Sequence, residues 1–151
     1  MAGVKIKIEG LNKLKKDLKT AERKIKQVLS EELRSAAAEI QNRAVQAAPV
    51  NKLIGQGGSL KSSIQVEGMM LSWSVYVDVF YAPYVEFGTC QFARNTVQSL
   101  PSDWQKHAAE FFVNGKGRQP AQPFFYPAVR AVQKTLQEKV DKAIQIELNK
   151  I

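Results

Sequence analysis

Glu86 is the residue whose setting most invites chemistry. It is the one charge in Tyr81-Ala82-Pro83-Tyr84-Val85-Glu86-Phe87-Gly88-Thr89, and carboxyls set among aromatic rings are a common source of general acids and bases. That chemistry also needs a second group, and none is adjacent. A carboxylate in an aromatic turn more commonly accepts backbone or tyrosine hydrogen bonds, or pairs with an arginine; Arg94, Arg118 and Arg130 are the candidates. His107 falls between Trp104 and Phe111 and reads as a packing or interface residue. Cys90 has no evident base partner and reads as a small buried or idle thiol. One histidine and one cysteine are too few soft ligands for a zinc site. Gly55-Gln56-Gly57-Gly58-Ser59-Leu60-Lys61-Ser62 has the glycines and lysine of a phosphate loop. A phosphate loop, however, wants glycine immediately before the lysine, a strand before it and a helix after it. Here Leu60 precedes Lys61, a helical pattern precedes the loop and a strand pattern follows. The expectation is therefore no catalytic, metal or cofactor site, and no enzyme.

The elements that would position these residues are legible from apolar spacing. Val4, Ile6 and Ile8 alternate with Lys5, Lys7 and Glu9, the pattern of a half-buried strand. After Gly10, Leu11, Leu14, Leu18, Ala21, Ile25 and Val28 recur at steps of three and four, as on one face of a helix. The stripe continues through Leu29, Leu33, Ala36, Ile40, Ala44 and Ala47, shifted by one position, which rotates the face or marks a bend near Leu29-Ser30. Pro49 stops the helix. Alternation returns at Leu60–Glu67 and Leu71–Phe80, with Gly68-Met69 as the candidate hairpin turn. In the second strand Leu71, Trp73, Val75, Val77 and Val79 share one face. Tyr76 and Phe80 fall on the other, more apolar than solvent requires.

Pro83 ends the strand, and Tyr81, Tyr84, Val85 and Phe87 are expected to fold back over the sheet edge as a turn or a single helical turn. Within residues 90–117, Ser102 and Gln105 have capping-box spacing for a short helix. From Arg118 to Phe125 the prolines favour an extended strap pinned by Phe124 and Phe125. Pro127 then suits the first turn of a final helix whose stripe is Val129, Val132, Leu136, Val140, Ile144 and Leu148. The expected architecture is α+β: one domain over residues 1–151, a small antiparallel sheet packed on a long N-terminal helix and a C-terminal helix.

A chain of 151 residues can bury a core. No apolar run approaches the roughly 20 residues of a membrane helix, the start has no apolar signal segment, and the single cysteine fits a reducing cytosol. The net charge of +8 gathers in the first and last helical segments. It reads either as the solvated faces of two helices or as contact with DNA phosphates or an acidic partner.

Three stretches in order resemble the tail-completion, or head–tail joining, family of long-tailed DNA bacteriophages. They are Ala48-Pro49-Val50-Asn51 resumed at Gly58-Ser59-Leu60-Lys61-Ser62-Ser63-Ile64, then Tyr81–Thr89, then Pro120-Ala121-Gln122-Pro123-Phe124-Phe125-Tyr126-Pro127-Ala128-Val129. The resemblance implies a structural virion protein of the tail or neck, assembled in the bacterial cytoplasm. It would form a ring, in that family often of six subunits, at the head-proximal end of the tail. Its partners would be like copies, the tail tube or terminator, and head connector proteins, with passing duplex DNA as a further candidate contact. In the family pattern the Glu-Phe-Gly-Thr segment runs more directly into the proline-rich one, so residues 90–117 stand as an insert. Apolar residues left over from the core stripes make Tyr76, Phe80, Tyr81, Tyr84, Glu86, Phe87, Phe124 and Phe125 the candidate interface. The rival readings are a non-specific DNA-binding protein using the lysine-rich helices and, last, a small hydrolase using Glu86.

Overall fold

A computed structural model describes residues 11–50, 58–109 and 117–150. The expected strand at Val4–Glu9 lies outside the described residues, as do Gly55 and Gly57 of the glycine-rich loop and Phe111. Helix α1 (Leu11–Ala47) runs unbroken for roughly 55 Å at 1.5 Å per residue. The one-position shift in its apolar stripe rotates the buried face along the helix. Ala21, Ala36, Ala37, Ala44 and Ala48 are buried, and these small side chains admit close neighbours. Helix α6 (Phe125–Leu148) packs along α1. Its first turn, with Phe124 and Ala128, meets Ala44 and Ala48 at the far end of α1, so the two helices run antiparallel.

The sheet is a two-stranded antiparallel hairpin, β1 (Ile64–Met69) and β2 (Ser72–Val77), laid on α1. Ile64 pairs with Val77 and Val66 with Val75. Ile64 is buried in the cluster of Ala44, Leu60 and Phe124, against which Val75, Val77 and Val79 also pack. The opposite face carries Gln65, Glu67, Ser74 and Tyr76.

Several boundaries differ from expectation: the second strand ends at Val77, not Phe80, and the final helix opens at Phe125, ahead of Pro127. Leu60 does not open a strand. Residues Ser59–Ser62 form the short helix α2, which buries Leu60 and lets the Ser63 hydroxyl donate to the Leu60 carbonyl at 2.8 Å. The hairpin turn is Met70-Leu71, not Gly68-Met69, because Met69 still pairs with Ser72. Met70 takes the positive φ of 55° that a two-residue hairpin loop requires. Gly68 serves a different need: a Cβ there would lie 2.4 Å from the Ser72 carbonyl oxygen and 2.7 Å from the Trp73 Cα.

Beyond the hairpin come α3 (Ala82–Phe87), α4 (Cys90–Val97) and α5 (Ser102–Ala109). The sequence pattern points to α5 and misses α4. The capping box does not form: the Gln105 amide donates to the Leu100 carbonyl at 2.7 Å. Among the described residues no helix is long and apolar enough to cross a membrane.

Candidate assembly interface

Pro83 in the first turn of α3 and Gly88 at its end confine the Tyr81–Thr89 stretch to a single short helix. Gly88 adopts φ 79°, ψ −168°, a region open essentially to glycine alone. Its missing side chain also admits another backbone, since a Cβ would sit 2.7 Å from the Ala121 nitrogen and 2.9 Å from the Gln119 oxygen. The strap after residue 117 docks there. Thr89 N–H donates to the Gln119 carbonyl at 2.9 Å, and Gln122 N–H donates to the Val85 carbonyl at 2.8 Å. Gln119 N–H in turn donates to the Thr89 hydroxyl at 2.8 Å.

Glu86 completes this junction. One carboxylate oxygen accepts the N–H groups of Phe124 at 2.8 Å and Phe125 at 2.9 Å, and the other accepts that of Tyr126 at 2.9 Å. These are the free donors at the start of α6, which has no local side-chain cap. A negative charge on them satisfies the donors and complements the helix dipole. Glu86 is therefore the cap of a helix about forty residues further along the chain. It takes backbone partners, not Arg94, Arg118 or Arg130. Around it Phe87 meets Trp104 edge to face at 6.3 Å, and Trp104 meets Tyr126 at 4.9 Å and Phe125 at 6.3 Å.

The eight interface candidates thus divide. Glu86, Phe87 and Phe124 are buried, enclosed by capping and core packing within one chain; Phe124 is only 1% exposed. Tyr81, Tyr84 and Phe125 are half-buried, Tyr81 and Phe125 against the main core. Tyr76 is 40% and Phe80 87% exposed. Phe80 meets Tyr81 edge to face, ring centroids 5.5 Å apart. It stands on the rim of an open groove of about 640 Å³ walled by Val77, Val79, Pro83, Phe87, Trp104 and Phe125, with Asp78 as its acidic edge. Tyr76 lies diagonally across the strand pair from Glu67. The Glu67 carboxylate, then partial desolvation and Asp78, push the Tyr76 hydroxyl above its ordinary pKa. This face is apolar and negatively charged on a basic chain.

A second exposed surface was not among the candidates. From Lys13 to Thr20 no side chain of α1 is buried, so Leu14 and Leu18, assigned to the core stripe, are 50% and 52% exposed. Among the described residues the stripe continues past the neighbours that cover it, and spacing alone does not report where those neighbours end. Lys15, Lys16, Lys19 and Arg23 line a shallow depression beside them. Cys90 is free and half-buried, and His107 is exposed on α5. Among the described residues no group of three or more His, Cys, Asp or Glu could hold a metal ion.

A family model described as "Bacteriophage HK97-gp10, putative tail-component" matches residues 12–88, half of the chain. It takes in α1, the hairpin and α3, and stops at the glycine where the strap docks. No curated protein and no solved structure matches.

Proposed function

The chain belongs to the HK97-gp10-like family of bacteriophage tail components, and from that premise we propose that it forms a ring at the head-proximal end of the tail and joins tail to capsid. Family membership makes it a structural component of the phage tail; the ring, its location and the joining role are the proposal. Its work is assembly, with like copies, the tail tube or terminator and the head connector as partners.

The observation that carries the reading is the exposure of Phe80, next in the chain to a motif whose aromatics are buried or half-buried. An apolar ring at 87% exposure on the rim of an apolar groove marks a surface that another protein covers. The three motif stretches, in turn, meet in one junction: Leu60 and Phe124 share a core cluster, and Glu86 caps the helix that follows the strap. They build the subunit and leave the neighbouring face to assembly. We further propose that residues 90–117, which begin where the family match ends, are an insert on one tail-completion-like unit.

Electron microscopy of purified protein beside purified tails tests this. The expected images show added ring-shaped density at one end of each tail. Density distributed along the tails, or none at either end, would overturn the proposal.

A further inference from the structure

The Leu14–Leu18 end of α1 and the Phe80 groove are complementary and cannot meet within one copy, although the hairpin tip, Met70 and Leu71, does reach Lys19 and Arg23 of the same α1. The projecting end of α1 carries Leu14 and Leu18 among Lys13, Lys15, Lys16, Lys19 and Arg23, against Asp17 and Glu22. The other surface carries Phe80 and the apolar groove, with Asp78 at its edge; Tyr76 and Glu67 lie further along the hairpin. Phe80 adjoins Tyr81 and Val79, which pack on the cluster containing Ala44 and Ala48. Leu18 and Ala44 are twenty-six residues apart on one helix, roughly 40 Å at 1.5 Å per residue. No bend in α1 brings them together.

We propose that the α1 end of one copy docks, through Leu14 and Leu18, onto the Phe80 groove face of the next copy, with its lysines against Asp78. This rests on the ring reading above and names the surfaces that would make it. The contact joins two different patches, so it is heterologous: each copy offers one free α1 end and one free groove, and such contacts close into rings or run on as filaments. Leucines set in a groove between aromatic walls supply the apolar contact. Opposite charges around it fix orientation and speed encounter. The occupant is a second copy because basic-apolar and acidic-apolar surfaces occur on the same chain.

The test uses two surface variants of the full chain, Leu18→Glu and Phe80→Lys, in sedimentation velocity with folding checked by circular dichroism. Each places a like charge against its proposed counterpart. Each alone is expected to weaken self-association at least tenfold. Mixed in equal amounts they should form a dimer that neither forms alone, because one retains a working α1 end and the other a working groove. If both variants assemble as the wild type does, the docking surfaces are wrong and the ring reading stands. A wild-type chain that is monomeric up to its solubility limit and adds no ring to tails overturns both. Assembly unchanged in Lys16→Glu/Lys19→Glu, with loss of duplex DNA binding, would assign the α1 end to nucleic acid and overturn the docking.

Discussion

The junction at Glu86 and the face at Phe80 lie within a few residues of each other, yet they treat aromatic side chains in opposite ways. At the junction three backbone donors, a carboxylate, a glycine that yields to a crossing backbone and a fan of rings satisfy one another inside the chain. On the face a phenylalanine is presented to solvent. Motif density therefore does not mark the exposed aromatic face here. The densest motif holds the strap and α6 in place, and the exposed face is set beside it.

Substitutions should separate the two regions, and the largest effect belongs to the junction. Phe124→Ala removes a fully buried ring and is expected to cost about 4 kcal/mol of stability, read as a fall in the urea midpoint. Glu86→Ala strands three donors at the start of α6 and should cost about 3 kcal/mol. Hydrogen exchange at Phe124, Phe125 and Tyr126 should accelerate together in that variant. Were exchange to rise only at α3, Glu86 would not be the cap. Gly88→Ala places a methyl against the backbone of Ala121 in a glycine-only conformation. About 2 kcal/mol is expected, with proteolysis appearing between Gly117 and Phe124.

The exposed face should behave otherwise. Phe80→Ala is expected to leave stability within about 0.5 kcal/mol while abolishing ring assembly on tails. A large stability loss without an assembly defect would erase the contrast. The smallest effect belongs to the surface pair of Glu22 and Lys26, 2.7 Å apart. The Lys26 hydrogen bond and charge hold the Glu22 carboxyl below 4.5. Any stability from it is present above the ordinary carboxyl pKa and fades as pH falls through the lowered one. Both side chains are in solvent, so Glu22→Gln should leave the acid unfolding curve unchanged within error.

Much of this was legible in the chain alone. Apolar spacing places α1 and α6, because each buries one long face, and alternation places β1 and β2 face by face. The structural use of Glu86 follows from the missing second group, but its partners do not. A cap supplied from about forty residues away leaves no local signature, whereas the sought-after Ser102 and Gln105 spacing forms no box. The hairpin turn slips by two residues because Gly68 answers to the Trp73 backbone and ring, not to the turn. Leu14 and Leu18 continue a core stripe with no break, so the end of their cover is invisible to periodicity. Phe80 was legible as surplus to the sheet. The enclosure of Phe87 was not legible, since the ring of Trp104 that meets it comes from the 90–117 segment.

Side-chain oxidation footprinting of the free chain and of the same chain on tails tests the central division most directly. The account predicts that Phe80 is modified in the free chain and protected on tails, while Phe87 and Phe124 stay unmodified in both. Equal modification of Phe80 in both states, or ready modification of Phe124 in the free chain, would contradict it.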